Sequence, residues 1–233
     1  AQDAADELLD ASDKDAFGML IQDAVDNIDE KQEEEELLSI EDTCIHDVTL
    51  SVDQKLEQDR KIYLDSDKID KVVLNIQRQI IAWNIEDKGI PKEERKPIYI
   101  YITTGGGDVT LMWTLVDTIE LSITPVYTVN IGFAASAGGM ILIAGHKRFM
   151  FEHAKVLIHE GSAFIEGDID KIRDWYSLCE QTIKENQRYI MQHTNIPPRV
   201  MKKRKTNDWV LDAETCLQYG ICDEIVHSID QII

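Results

Sequence analysis

Four stretches of this chain carry groups suited to acyl transfer: Thr103-Thr-Gly-Gly-Gly-Asp108, Gly132-Phe-Ala-Ala-Ser-Ala-Gly138, Leu157-Ile-His-Glu160 and Asn207-Asp208. Opening an acyl bond takes a nucleophile, a base for its proton, a carboxylate that fixes the base's tautomer, and N–H donors for the oxyanion. Ser136, His159 and Asp208 suit the first three roles, and the backbone amides of Gly107 and Ala137 suit the fourth. Ser136 falls where a strand is predicted to turn sharply into a helix, among alanines and glycines that keep space open around a hydroxyl. A helix start also aims unpaired N–H groups and a positive dipole end at that point. The same placement suits a plain N-cap, a common use of serine. A histidine at a strand end and a triple-glycine turn have bland readings too, so it is the four together, in order, that point to chemistry.

The elements that must hold these groups follow from hydrophobic periodicity. Short strands are predicted over residues 60–64, 97–102, 126–131, 148–151 and 155–158. Between them Ile69, Val72, Val73, Ile76, Ile80 and Trp83 mark one helix, and Leu111, Leu115 and Ile119 another over 109–121. Met140–Ala144 reads as a buried helix, and 169–193 as a long helix with Ile172, Trp175, Cys179, Ile183 and Ile190 on one stripe. Residues 86–96 form a polar connector, and 161–167 a glycine-bounded exposed strand or loop. Short helices over 198–204 and 213–219 flank a turn at 207–209. Alternating strands and helices with glycine-rich turns at strand ends predict an α/β protein. Its sheet is largely parallel, with the site at the strands' carboxyl ends.

Of the formal net charge of −20, residues 1–50 carry −15, from 17 acidic residues against 2 lysines. This predicts an acidic arm over 1–50, partly helical around Phe17–Ile28 or disordered around Glu33–Glu36, ahead of one domain over 51–233. The negative balance argues against nucleic acid and anionic membranes as partners. No apolar run is long enough to span a bilayer and no signal pattern opens the chain, so a cytoplasmic location is expected. Cys44, Cys179, Cys216 and Cys222 lack metal-ligand spacing and read as reduced, mostly buried residues, and no metal site is expected.

The motifs at Ile100–Val109, Gly132–Gly138, Leu157–Glu160, Asn207-Asp208 and Tyr219–Val226 together resemble the proteolytic subunits of the Clp protease family, over residues 58–227. The resemblance implies the ClpP/crotonase-like fold of stacked β-α-β units. It also implies a Ser136–His159–Asp208 triad, an oxyanion hole from Gly107 and Ala137, and no cofactor. Substrate would bind as an extended strand along Gly106 and Gly161, Ser162, Ala163 and Phe164. The implied function is a serine endopeptidase subunit of a heptameric ring or double-ring tetradecamer, cleaving unfolded polypeptides fed by an ATP-dependent AAA+ unfoldase. The helix over 168–193 would lie at the ring–ring junction. Some positions depart from the family pattern. Thr104-Gly-Gly-Gly stands for Ser-Pro-Gly-Gly, Glu160-Gly161 for Gln-Pro, Asn207 for an arginine, and the acidic arm for the pore loop. Two other classes share part of the pattern: a catalytically silent ring or scaffold subunit, and crotonase-type acyl-CoA enzymes, which use paired backbone amides without a triad.

Overall fold

Runs of β-branched and aromatic residues build the sheet, as their fit to a pleated surface favours. In the computed structural model, which describes residues 52–204 and 208–233, the strands are β1 (Lys61–Leu64), β2 (Ile98–Thr104), β3 (Val126–Ala135), β4 (Lys147–Phe151), β5 (Lys155–Ile158), β6 (Trp209–Asp212) and β7 (Glu224–Val226). They run in the order β1-β2-β3-β4-β7, all parallel. β3 is forked. Its first half pairs with β4 through Tyr127–Asn130, and its end pairs with β5 through Phe133–Ala135. β6 adds antiparallel to β5.

The helices are α1 (Lys71–Glu86), α2 (Val109–Glu120), α3 (Ala137–Ala144), α4 (Ile169–His193), α5 (Pro198–Arg204) and α6 (Ala213–Gln218). Four of them start under an aspartate cap. Asp70, Asp108, Asp168 and Asp212 accept from the amides of Val72, Leu111, Lys171 and Thr215, which satisfies donors the first turn leaves open. Val73, Ile76 and Ile80 of α1 and Met112, Leu115, Val116 and Ile119 of α2 are buried, and so is every residue of α3. Removing that apolar surface from water is the main driving term for the fold. A second, smaller cluster forms around Tyr101, Val129 and Phe149, where the Tyr101 hydroxyl donates to the carbonyl of Ile232 at 2.6 Å. Cys216 and Cys222 are buried free thiols, and burial pushes both above the usual thiol range.

The α/β class and parallel sheet match expectation, and the differences have local causes. β3 runs to Ala135 rather than ending near Ile131, because β5 supplies a ladder partner for its glycine- and alanine-rich end. α3 begins at Ala137, directly after Ser136, which keeps the strand-to-helix turn at that residue as expected. Residues 209–212 form a strand that was not expected after the turn at 207–209, since pairing with β5 selects an extended form for four residues too short to signal it. The stretch over 161–167 joins no ladder. The α4 stripe is only partly buried. Ile172 and Trp175 are exposed, and only Tyr189 and Ile190 of that helix are buried. The acidic arm lies outside the described residues. Among the described residues no helix is long and apolar enough to cross a membrane.

One buried ion pair was not legible in the pattern. Asp87, 2% exposed, follows α1 and takes both guanidinium nitrogens of Arg60, at 2.7 and 2.9 Å, while the Thr124 hydroxyl donates to it at 2.5 Å. Arg60 precedes β1 and Thr124 precedes β3, so one carboxylate joins three parts of the chain. The Arg60 hydrogen bond holds the Asp87 carboxyl below the usual carboxylate range. A carboxyl depressed in the folded state adds stability above its unfolded pKa and loses it as pH falls through the folded value. Asp87→Asn is therefore expected to lower unfolding free energy by about 3 kcal/mol at pH 7, as for a broken buried pair. The gap between wild type and variant should shrink below about pH 4. Denaturant midpoints measured against pH check this, and a gap that stays constant into acid would contradict it.

Candidate active site

Strand register brings the chemical residues together. Ala135 of β3 stands beside Leu157 of β5 in a parallel pair. The next residue of one strand is Ser136, and two residues along the other is His159. Ile158 of β5 faces Trp209 of β6 in an antiparallel pair, so His159, one step past Ile158, meets Asp208, one step before Trp209. On the other side of β3, Thr104 of β2 stands beside Ala134, which carries the Gly105–Gly107 loop alongside Ala135–Ala137. Three ladders thus converge on one point from four distant stretches of sequence.

The side chains meet accordingly. Ser136 Oγ lies 2.7 Å from His159 Nε2, within the range for a hydrogen-bonded hydroxyl. His159 Nδ1 lies 3.5 Å from Asp208 Oδ1, an ion-pair distance longer than a normal hydrogen bond. The histidine side chain is 28% exposed and the aspartate 71%. An imidazole so placed is able to take the hydroxyl proton, and the carboxylate behind it favours the tautomer with the proton on Nδ1. Ser136 is the residue before α3, yet its side chain makes no capping bond, so the N-cap reading does not hold. Instead its backbone takes φ 54° and ψ −115°, and the only other non-glycine residue with positive φ among the described residues is Arg60. Its N–H donates to the carbonyl of Leu157 at 2.8 Å, which ties the turn to the strand that bears His159.

The glycine loop packs directly on this turn. The Gly105 amide donates to the carbonyl of Asp67 and the Gly106 amide to Thr104 Oγ1, while the Gly106 carbonyl accepts from Ile69. Gly106 therefore has its own backbone polar groups engaged inside the loop. The amides of Gly107 and Ala137 donate no hydrogen bond among the described residues. Gly106 has φ +96°, and a Cβ there would sit 2.7 Å from the Ala135 oxygen and 2.8 Å from the Ser136 Cβ. Gly161, Ser162, Ala163 and Phe164 follow His159 as exposed, unpaired chain, with Phe164 90% exposed. Glu160 Oε1 accepts from Gln187 on α4 at 3.1 Å. Among the described residues no group of His, Cys, Asp and Glu is gathered to hold a metal ion. Sequence reasoning missed the lining that α4 contributes. Asn186 and Ile190 border the pocket next to Ser136, and only tertiary packing brings that turn of the helix there.

Comparison with known proteins decides the family. The Clp protease family model matches residues 46–229. The chain belongs to the Clp protease family. Its relatives include ATP-dependent Clp protease proteolytic subunit 2 of Treponema pallidum, 31% identical over 135 residues, covering 57% of this chain and 68% of the relative. Proteolytic subunit 1 of Streptomyces avermitilis is 32% identical over 143 residues, covering 60% and 66%. The matched span of this Clp family chain contains every residue of the converging site.

The contact of Gly106 with the Ser136 turn leads to a stability measurement. Gly106→Ala is expected to cost more than Gly89→Ala, which has a similar φ of +91° but no neighbour within 4 Å of its added Cβ. The shared left-handed strain is about 1–2 kcal/mol, and the steric excess at Gly106 adds about 1–3 kcal/mol. Chemical denaturation of both variants measures the difference, and equal losses would contradict the close packing.

Proposed function

We propose that this chain is a serine endopeptidase subunit of a self-compartmentalising ring. The observation that carries the reading is the 2.7 Å approach of Ser136 Oγ to His159 Nε2 beside the glycine loop, with Asp208 behind the ring. His159 removes the Ser136 proton as the oxygen attacks the scissile carbonyl. The Gly107 and Ala137 amides hold the oxyanion, and His159 then protonates the leaving amine. Water, deprotonated by the same histidine, releases the acyl group and restores Ser136. A substrate strand laid along Gly161–Phe164 would pair through its main chain and place few demands on most side chains.

Assembly and feeding complete the proposal. Ile169, Ile172, Trp175, Tyr176 and Leu178 are exposed along the first turns of α4, a large apolar stripe for a solvent-facing helix. Coverage by further copies in a heptamer or double-ring tetradecamer accounts for it. The relatives are named ATP-dependent, and an AAA+ unfoldase supplying unfolded polypeptide is the partner that follows. The chemistry itself needs no cofactor, and no role in binding nucleic acid or a membrane is proposed.

Ser136→Ala is expected to abolish cleavage of a small fluorogenic peptide while leaving the native mass in solution unchanged. Asp208→Asn should lower kcat by about 10²–10⁴-fold, because it disturbs only the histidine's orientation and charge. Wild-type rates in the Ser136 variant would remove the nucleophile assignment. For the assembly, native mass spectrometry of wild type and Trp175→Asp is expected to show seven or fourteen copies for the first and fewer for the second. A monomeric wild type would contradict the ring.

A further inference from the structure

β3 leaves β4 at Asn130, which faces Met150, and takes up β5 at Phe133, which faces Lys155. Ile131 and Gly132 lie between the two ladders. On the β2 side the register breaks at the same place. Ile102 faces Asn130 and Thr104 faces Ala134, so the single Thr103 spans Ile131, Gly132 and Phe133. A bulge of this kind interrupts the ladder and re-aims the residues that follow. Here a side chain fills the gap. Asn130, fully buried, donates from Nδ2 to the carbonyl of Lys155 at 2.9 Å, and its Oδ1 accepts from the amide of Gly132 at 3.1 Å. A primary amide carries a donor and an acceptor as a peptide group does, so it stands in for the interrupted ladder on both strands.

We infer that Asn130 is a positioning residue: its side-chain amide anchors the start of β5 to the bulge of β3 and so sets the approach of Ser136 Oγ to His159 Nε2. The inference rests on the reading of these two residues as nucleophile and base. Ser136 follows the bulged end of β3, and His159 follows β5, whose first residue is Lys155. Past the anchor the two strands share the pairs from Phe133 to Ala135 and the Ser136 amide on the Leu157 carbonyl. That is a short lever. Freed at its base, β5 can pivot about those pairs, and the pivot is read at its far end, where His159 sits. A misplacement of about 1 Å, caused far from the chemistry, is enough to cost about 10²-fold in rate. An apolar residue at this position would also leave the Lys155 carbonyl and the Gly132 amide without these partners in a buried place.

Asn130→Leu and Asn130→Asp test this, each assayed with saturating fluorogenic peptide. Asn130→Leu removes both bonds and is expected to lower kcat about 10–100-fold, with the native mass unchanged. The carboxyl that Asn130→Asp introduces has the shape of the amide. Protonated, it donates to the Lys155 carbonyl and accepts from Gly132; ionised, it turns an acceptor on that carbonyl. Burial keeps a carboxyl protonated above its usual range. Dividing the variant's kcat by the wild-type kcat at the same pH cancels the pH dependence of the base itself. For Asn130→Asp this ratio is expected to lie near one at about pH 5.5 and to fall about tenfold by about pH 8.5, while for Asn130→Leu it stays low and flat. An amide with a merely structural role would lower the melting temperatures and leave kcat per folded chain at the wild-type value. That outcome overturns the inference, and so does an Asn130→Asp ratio that does not change with pH. If Asn130→Leu fails to fold, the Asn130→Asp profile decides alone. A wild type that cleaves no peptide overturns the peptidase reading and this inference with it. Wild-type cleavage with kcat unaltered in both variants overturns the inference alone.

Discussion

The backbone of Ser136 is the constraint on which the site depends. At φ 54° and ψ −115° an L-residue other than glycine is strained, at a cost of order 1–3 kcal/mol. Three features hold it there. Its N–H is tied to the Leu157 carbonyl, its own carbonyl accepts from Gly139 and Met140, and the glycine loop presses on it from the β2 side. The strain aims the hydroxyl out of the α3 turn, so that it meets an imidazole instead of capping the helix. Relaxing the residue into an ordinary N-cap would return the side chain to the helix and separate it from His159.

That turn is in place because of how β3 ends. A strand paired on both sides along its whole length would bring only its two neighbours to its tip. β3 exchanges β4 for β5 part-way, and it is β5 that carries His159 and recruits β6 with Asp208. Each ladder fixes its residue to within one register step, and a slip of one step would turn every side chain to the other face. The Arg60–Asp87–Thr124 cluster stands away from this convergence. It fastens the entry to β1, the end of α1 and the approach to β3, which sets the sheet on which the registers are counted.

Much of this was legible in the sequence, for physical reasons. Apolar spacing of 3.6 residues marked α1, α2 and α4, and glycine-rich turns after apolar strands placed the loops at the strands' carboxyl ends. The motif order around Ser136, His159 and Asp208 named the residues that the structure brings together. What could not be read depends on partners distant in sequence. The last residues of β3 look like loop until β5 pairs with them, and Trp209–Asp212 is a strand only because β5 is there to receive it. Asp87 looked like one acid in a polar connector, with nothing local to say that Arg60 would bury it. Asn186 belongs to the same class, since periodicity alone gives no sign that its turn of α4 borders the serine.

The exposed first turns of α4 show the limit of periodicity from another side, because an apolar stripe signals burial without saying against what. Within a single chain that stripe has no cover. The central claim nevertheless concerns one atom, the Ser136 oxygen activated by His159. Treating the folded wild-type chain with a fluorophosphonate and mapping the adduct by peptide mass spectrometry tests it most directly. One adduct per chain on Ser136, lost when His159 is replaced by alanine, is the expected result. A folded chain that takes no adduct, or takes it on another residue, would contradict it.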